Sequence, residues 1–176
     1  MAGREAASRD SARAPHQVTD LPLRRVARIV VLDGAQSVLL VRYEDTRPAQ
    51  PISFWVPPGG ALEAGETHRA AAARELGEET GLTAEIGPKL WTREFELDAP
   101  QGLVRQHEQY FLALLQTVAP PVRNTSSEPI QELRWWTLSD LRAASEVIYP
   151  EGLAASISKI VESHGRRPGG SATEVP

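Results

Sequence analysis

A glycine-rich turn followed by a glutamate-bearing helix dominates the first half of this sequence. The turn is the apolar run WVPPGG at 55–60, and its glycines allow backbone amides to approach a ligand closely. Thr67 is a suitable N-cap for the helix, and the alanines at 70–73 favour helical structure. Gly81 is well placed to end the helix in the left-handed conformation. We therefore predict a helix that Thr67 caps and that runs to about Thr80.

Three glutamates of this helix form a dense charge cluster. Glu75, Glu78 and Glu79 are spaced i, i+3 and i+4, so they project from one helical face. Like charges at this spacing repel one another, and hard carboxylate oxygens are the ligands that Mg²⁺ or Mn²⁺ prefers. A solvated acidic face is the ordinary alternative. The neighbouring glycine turn favours a binding site instead, as does the guanidinium of Arg74, which can orient carboxylates.

The whole segment resembles the Nudix box. That pattern is Gly, five residues, Glu, seven residues, Arg-Glu, an aliphatic residue, any residue, Glu-Glu, any residue, Gly and an aliphatic residue. Its positions in this sequence are Gly60, Glu66, Arg74, Glu75, Leu76, Glu78, Glu79, Gly81 and Leu82, and none departs from the pattern. At average residue usage, the odds of a chance match are about one in a billion per start position. The resemblance extends over about residues 21–163 and implies an α/β fold, the Nudix α/β/α sandwich with a mixed β-sheet.

The resemblance implies roles for the residues of the box. Glu75 and Glu79 are expected to bind the metal ion, with Glu78 close behind them. Glu78 and Glu79 are also candidate catalytic residues, since a box glutamate can serve as the general base in this family. Backbone atoms at Gly59 and Gly60 are expected to complete the metal coordination or to contact the phosphates of the substrate.

Residues around this centre are also assigned by the resemblance. Arg74 and Glu66 are expected to hold the loop and the helix together or to orient the metal ligands, which places Arg74 among the catalytic residues. The general base of the family varies in position, and two carboxylates outside the box are candidates. Glu108 lies on a predicted strand where it could face the box helix as a metal ligand or as the base, and Glu128 lies in a long loop.

The residues that recognise the substrate are the hardest to identify from the sequence. Four aromatic side chains could stack on a nucleobase: Trp55, Trp91, Phe95 and Tyr110. Arg42 could pair with a phosphate, although an arginine on a strand is more often simply exposed to solvent. The expected function is a divalent-metal-dependent hydrolase that cleaves the pyrophosphate bond of a nucleoside diphosphate linked to another moiety. The alternative is a nucleotide-binding regulatory module of the family without turnover; such modules commonly lose box glutamates, and this chain keeps them all.

Composition and charge exclude several function classes. The length of 176 residues suits one domain with its own core. A net charge of −4 gives no electrostatic reason to expect binding to nucleic acid or to an anionic membrane. Because the chain has no cysteine, disulfides and thiol chemistry are excluded. No apolar run is long enough to span a bilayer or to form a signal peptide. We therefore expect a cytoplasmic enzyme that acts on a nucleotide-type small molecule, in a family where homodimers are common.

Turn signals and periodicity predict the order of elements. Strands are predicted at 25–32, 37–42, 53–56, 83–86, 89–97, 104–116 and 132–136. A capping box at Thr137 and Asp140 opens a short helix, and Pro150 begins a final helix to about Ser163. A disordered arm at 1–20 and a disordered tail at 164–176 are predicted to flank one domain at 21–163. This order alone indicates only a mixed α/β domain.

Overall fold

The computed structural model describes residues 21–100 and 102–165 of the chain. Within these residues the elements are β1 (Leu23–Leu32), β2 (Val38–Asp45), β3 (Ile52–Val56), α1 (His68–Thr80), β4 (Lys89–Ala99), β5 (Gly102–Leu114), β6 (Glu132–Trp136), α2 (Leu138–Ala143), β7 (Val147–Ile148) and α3 (Leu153–Gly165). The arm predicted at 1–20, and the tail from 166 onward, lie outside the described residues.

The strands form one mixed sheet. Its order is β4-β5-β1-β2-β3-β7, and β6 pairs with β2. β1 runs parallel to β5 and β3 runs parallel to β7, while the other pairs are antiparallel. β1 pairs with β2 next to the turn that joins them. Farther along the same edge of β1, the loop after β3 forms the backbone hydrogen bonds instead. The amides of Ala27 and Ile29 donate to the carbonyls of Gly60 and Pro58 at 3.0 and 2.9 Å. The glycine turn is thereby fixed against the middle of the sheet.

Helix α1 covers one face of the sheet. We call the apolar residues between them the α1-face cluster: Ala27, Ile29, Val31, Leu39, Ala71, Ala72, Leu76, Ile86, Phe111 and Ala113. The other face carries the α3-face cluster: Val30, Leu32, Val38, Leu40, Trp55, Tyr110, Leu112, Trp136, Leu141, Leu153, Ile157 and Ile160. Successive residues of β1 and β5 alternate between the two clusters because side chains of a strand point to opposite faces. The predicted α/β/α sandwich with a mixed sheet is therefore confirmed.

The local helix signals are also confirmed. The Thr67 hydroxyl accepts a hydrogen bond from the amide of Ala70 at 3.2 Å, and Gly81 ends α1 with φ at 70°. The capping box of α2 is complete, since the side chains of Thr137 and Asp140 each accept from the other's amide at 3.1 Å. In the part of the chain that the structure describes, no helix is long and apolar enough to cross a membrane.

One predicted strand and several predicted boundaries differ from the structure. Residues 83–86 form a loop rather than a strand, and the carbonyl of Ile86 accepts from the Arg69 side chain. Pro150 does not begin the final helix, because it lies in a turn where its carbonyl accepts from the amide of Leu153, the first residue of α3. The helix then continues to Gly165, past the predicted end at Ser163. The two-residue strand β7 was not predicted.

Candidate active site

Arg74 gathers the acidic residues of the box around one guanidinium. Its Nε and Nη2 donate to both carboxylate oxygens of Glu66 at 3.1 and 3.0 Å. Its Nη1 donates to Glu75 Oε1 at 2.9 Å and to Glu78 Oε2 at 3.0 Å, and Nη2 also reaches the carbonyl of Ala61 at 3.1 Å. The hydrogen bonds from Arg74 lower the pKa of Glu66. This fork joins the loop after the glycine turn, at Ala61 and Glu66, to α1. The expected role of Arg74 in orienting metal ligands stays a prediction.

Glu79 is the most deeply buried carboxylate of the box. Its residue is 1% exposed. The amide of Gly59 donates to its Oε2 at 2.6 Å, and the hydroxyl of Tyr43 donates to its Oε1. Burial raises the pKa of Glu79 to about 7, although the bond from Tyr43, the nearby charge of Arg28 and the bond from Gly59 all oppose this rise. A further cation close to this carboxylate would therefore favour its charged form.

Glu75 lies one helical turn before Glu79 and packs against the glycine turn. Burial raises its pKa, and the hydrogen bond and charge of Arg74 oppose the rise. A Cβ atom at Gly60 would lie 2.4 Å from Glu75 Oε1 and 2.7 Å from its Cδ. Residue 60 is therefore glycine because the carboxylate occupies the space of a side chain. The expected contact of Gly60 with metal stays a prediction.

The long loop after β5 is tied to the C-terminal end of α1. The amides of Arg123 and Thr125 donate to the carbonyls of Thr80 and Glu78 at 2.9 and 2.8 Å. The side chain of Glu78 is 48% exposed, which makes it the most accessible of the three helical glutamates. Glu128 lies farther along this loop and is exposed. Burial and then Glu79 are the main causes of the raised pKa of Tyr43, and the charge of Glu128 adds a smaller contribution. The role of Glu128 as a base stays a prediction.

Glu108 lies on the sheet face opposite α1, so the expectation that it faces the box helix is wrong. It shares that face with Tyr110 of the α3-face cluster, whereas Phe111 belongs to the α1-face cluster. Four side chains contact its buried carboxylate: Gln106 Nε2 at 2.8 Å, the Tyr110 hydroxyl at 2.6 Å, Arg93 Nη1 at 3.4 Å and Arg28 Nε at 3.6 Å. Because side chains alternate along a strand, Glu108 lies on the other face of the sheet from the box carboxylates.

Trp55 and Arg42, two of the side chains expected to bind substrate, lie on the face away from α1. Trp55 is 2% exposed and packs edge-on against Trp136 at 5.1 Å between ring centroids, so the structure does not support stacking on a nucleobase. Arg42 remains accessible, and its Nη2 pairs with Glu132 Oε2 at 3.2 Å. Sequence reasoning missed Tyr43, because residues from 43 onward were predicted as loop although β2 continues to Asp45. That extension carries the Tyr43 hydroxyl to Glu79.

Comparison with known proteins decides the family. The sequence matches the NUDIX domain over residues 22–155. The chain belongs to the Nudix family. An RNA pyrophosphohydrolase of Roseobacter denitrificans is 28% identical over 139 residues, which cover 72% of this chain and 84% of the relative. A putative 8-oxo-dGTP diphosphatase of Bacillus subtilis is 38% identical over 64 residues, or 36% of this chain and 39% of that protein. The crystal structure of a MutT protein from Methanosarcina mazei shares the fold, with a TM-score of 0.59 and 20% identity over 82% of this chain and 97% of that one.

The protein is therefore an enzyme, a Nudix pyrophosphohydrolase. Nudix hydrolases generally use divalent metal ions. Among residues 21–100 and 102–165, no three acidic or histidine side chains converge closely enough to hold such an ion, because Arg74 lies between the box carboxylates. The chemistry of Glu75 and Glu79 nevertheless fits a metal. Both are buried on successive turns of α1, and burial raises the pKa of each, so a hard cation would compensate both charges.

Proposed function

We propose that this protein is a divalent-metal-dependent hydrolase that cleaves the pyrophosphate bond of a nucleoside diphosphate linked to another moiety. The observation that carries the proposal is the pair of buried carboxylates, Glu75 and Glu79, beside the Gly59–Gly60 turn. Buried acidic pairs are costly unless a cation compensates them. Mg²⁺ is the expected ion and Mn²⁺ a suitable substitute, since both take carboxylate oxygens.

The residues of the box would have different roles in the reaction. Glu75 and Glu79 would hold the metal ion, which neutralises phosphate charge and activates water when bound. Arg74 keeps Glu75 and Glu78 in place through its shared Nη1. Glu78 is the accessible box carboxylate and Glu128 the accessible loop carboxylate, so these two are the candidates for taking the proton from water.

The first test is phosphate release, coupled through an inorganic pyrophosphatase or a phosphatase, from a substrate panel with Mg²⁺ or Mn²⁺. The panel contains NTPs, 8-oxo-dGTP, ADP-ribose, nucleotide sugars, NADH and dinucleoside polyphosphates. It also contains a 5′-triphosphorylated oligoribonucleotide, because a relative is named as acting on RNA. Metal-dependent cleavage of one class supports the proposal and names the substrate. Nucleotide binding without cleavage of any compound would favour the regulatory module instead.

A matched pair of variants tests the metal site. Glu79→Gln keeps the size of the side chain and removes one carboxylate charge, so kcat should fall by roughly 10²-fold or more if the metal supplies several kcal/mol to the transition state. Glu85→Gln removes the same charge from an exposed position near the start of α1 and should leave kcat unchanged. Near wild-type turnover of Glu79→Gln would exclude Glu79 from the site.

A further inference from the structure

Both backbone polar groups of Gly59 are held by side chains. Its amide donates to Glu79 Oε2 at 2.6 Å, and its carbonyl accepts from Arg28 Nη1 at 2.6 Å. The same Arg28 nitrogen reaches the carbonyl of Pro57 at 3.3 Å. Gly59 has φ at 134°, and a Cβ atom there would lie 2.1 Å from the carbonyl oxygen of Ala27. The turn therefore lies directly on β1. The peptide group that carries the Gly59 amide is held at its own carbonyl by Ile29 N, and Arg28 holds the carbonyls of the two peptide groups that flank it.

Arg28 can hold that carbonyl because its charge is compensated beneath the turn. The side chain is 14% exposed and lies between the turn and Glu108, with 3.6 Å from its Nε to Glu108 Oε1. Burial, the largest single influence, disfavours the charged form of Arg28, but the electrostatic effects of Glu108, Tyr110, Glu79 and Tyr43 together outweigh it, and the pKa of Arg28 is raised. An arginine in this position without a carboxylate partner would carry an uncompensated buried charge.

Both carboxylate oxygens of Glu108 are already occupied by contacts with neighbouring side chains on the same face of the sheet. Besides Arg28, Glu108 accepts from Gln106 at 2.8 Å, from the Tyr110 hydroxyl at 2.6 Å and from Arg93 at 3.4 Å. Each carboxylate oxygen therefore already has two contacts among these four side chains. Such a carboxylate is suited to anchoring a cation, and poorly suited to accepting a proton from water or binding a metal ion.

We infer that Arg28 and Glu108 form a positioning pair, which aims the Gly59 amide at Glu79 and so sets the geometry of the metal-binding carboxylate. Glu108 acts through Arg28 and touches neither metal nor substrate. The inference rests on the proposed function only in taking Glu79 as a metal ligand. Arg28 and Glu108 lie on β1 and β5, outside the Nudix box, so the box pattern does not reveal this positioning role.

The first readout is amide hydrogen exchange of Gly59 in the metal-free protein, which needs neither metal nor substrate. Arg28→Gln should speed this exchange by roughly tenfold or more, because the peptide groups on both sides of the one that carries the Gly59 amide are released. Arg93→Gln is the matched control, since it also removes a cation from Glu108 but has no contact with the turn. Unchanged Gly59 exchange in Arg28→Gln would overturn the inference.

The second readout is the affinity for Mn²⁺ alone, followed by electron paramagnetic resonance. Arg28→Gln should bind Mn²⁺ about 10- to 100-fold more weakly than wild type, as is typical when a residue that orients a metal ligand is removed. Arg93→Gln should stay within about twofold of wild type. Wild-type affinity in Arg28→Gln would overturn the functional part of the inference, and a wild-type protein that binds no Mn²⁺ would overturn it together with the proposed metal dependence.

A double-mutant cycle separates an indirect role of Glu108 from a direct one. If Glu108 acts through Arg28, then Glu108→Gln should lower Mn²⁺ affinity and kcat in the wild-type background and cause no further loss in the Arg28→Gln background. A further loss of about tenfold in the double variant would show that Glu108 acts on metal or substrate itself. Melting curves check that each variant folds. If Arg28→Gln does not fold, Arg28→Lys takes its place. Its single nitrogen cannot take the places of both Nη1 at the turn and Nε at Glu108, so this variant should still speed Gly59 exchange.

Discussion

Replacing Glu79 by glutamine should stabilise the metal-free protein above neutral pH. The side chain is buried, and burial raises its pKa from an ordinary value of 4.5 to about 7. Between these two values the folded protein keeps a proton that the unfolded chain has released. The free energy of unfolding therefore falls as pH rises through this range and stays low above about pH 7.

The size of the effect follows from the same two values. A gap of roughly 2.5 pH units corresponds to a loss on the order of 3 kcal/mol at about 1.36 kcal/mol per unit. Glutamine avoids this loss because it carries no charge at any of these pH values. Its carbonyl can accept from the Gly59 amide and its amide group can donate to the Tyr43 hydroxyl, in the places where the carboxylate now accepts from both.

The assay is urea denaturation of both proteins in EDTA at pH 4.5 and at pH 8. The two should differ little at pH 4.5, and the variant should be more stable by up to about 3 kcal/mol at pH 8. Adding Mg²⁺ at pH 8 should stabilise wild type more than the variant, because a cation compensates the buried carboxylate. Glu85→Gln is the control for the loss of an exposed carboxylate. A stability difference that is the same at both pH values would refute the reasoning.

Three further substitutions probe other parts of the structure. Gly59→Ala should lower the free energy of unfolding in urea by about 2 kcal/mol or more, because its methyl group would meet the Ala27 carbonyl; Gly65→Ala, where φ is also positive but the space is open, should lose less. Thr137→Ala should cost about 1 kcal/mol by removing the cap of α2, and an unchanged melting curve would contradict this. Arg74→Lys should lower kcat about tenfold or more in steady-state assays, because lysine lacks the fork that bonds three glutamates.

Local signals predicted the box helix and its contacts well. A cap such as Thr67 and a terminal glycine such as Gly81 act within one turn of the chain, so sequence alone reveals them. The same holds for Arg74, whose bond to Glu78 is an i, i+4 contact on one helix.

Contacts between strands could not be predicted in this way. The face on which Glu108 lies depends on the register of β5 against β1, and a shift of one residue would reverse it. The depth of Trp55 depends on α3 and on Trp136, which follow far along the chain. Tyr43 reaches Glu79 only because β2 runs past Arg42, and the mixed polar residues there gave no sign of that extension.

The parallel pairing of β1 with β5 also bears on the order in which the protein is assembled. Arg24 and Gln106, which lie side by side in this pair, are 82 positions apart in the chain. During synthesis the whole box is present once Leu82 has been made, but β1 still has no β5 to align with, and the loop that ties down the end of α1 comes later still. At about 5–20 residues per second, these partners follow within a few seconds. The Nudix box is therefore among the last parts of the protein to acquire its geometry. A nascent chain that ends soon after Leu82 contains the glutamates of the box but lacks β5 and the loop that position them.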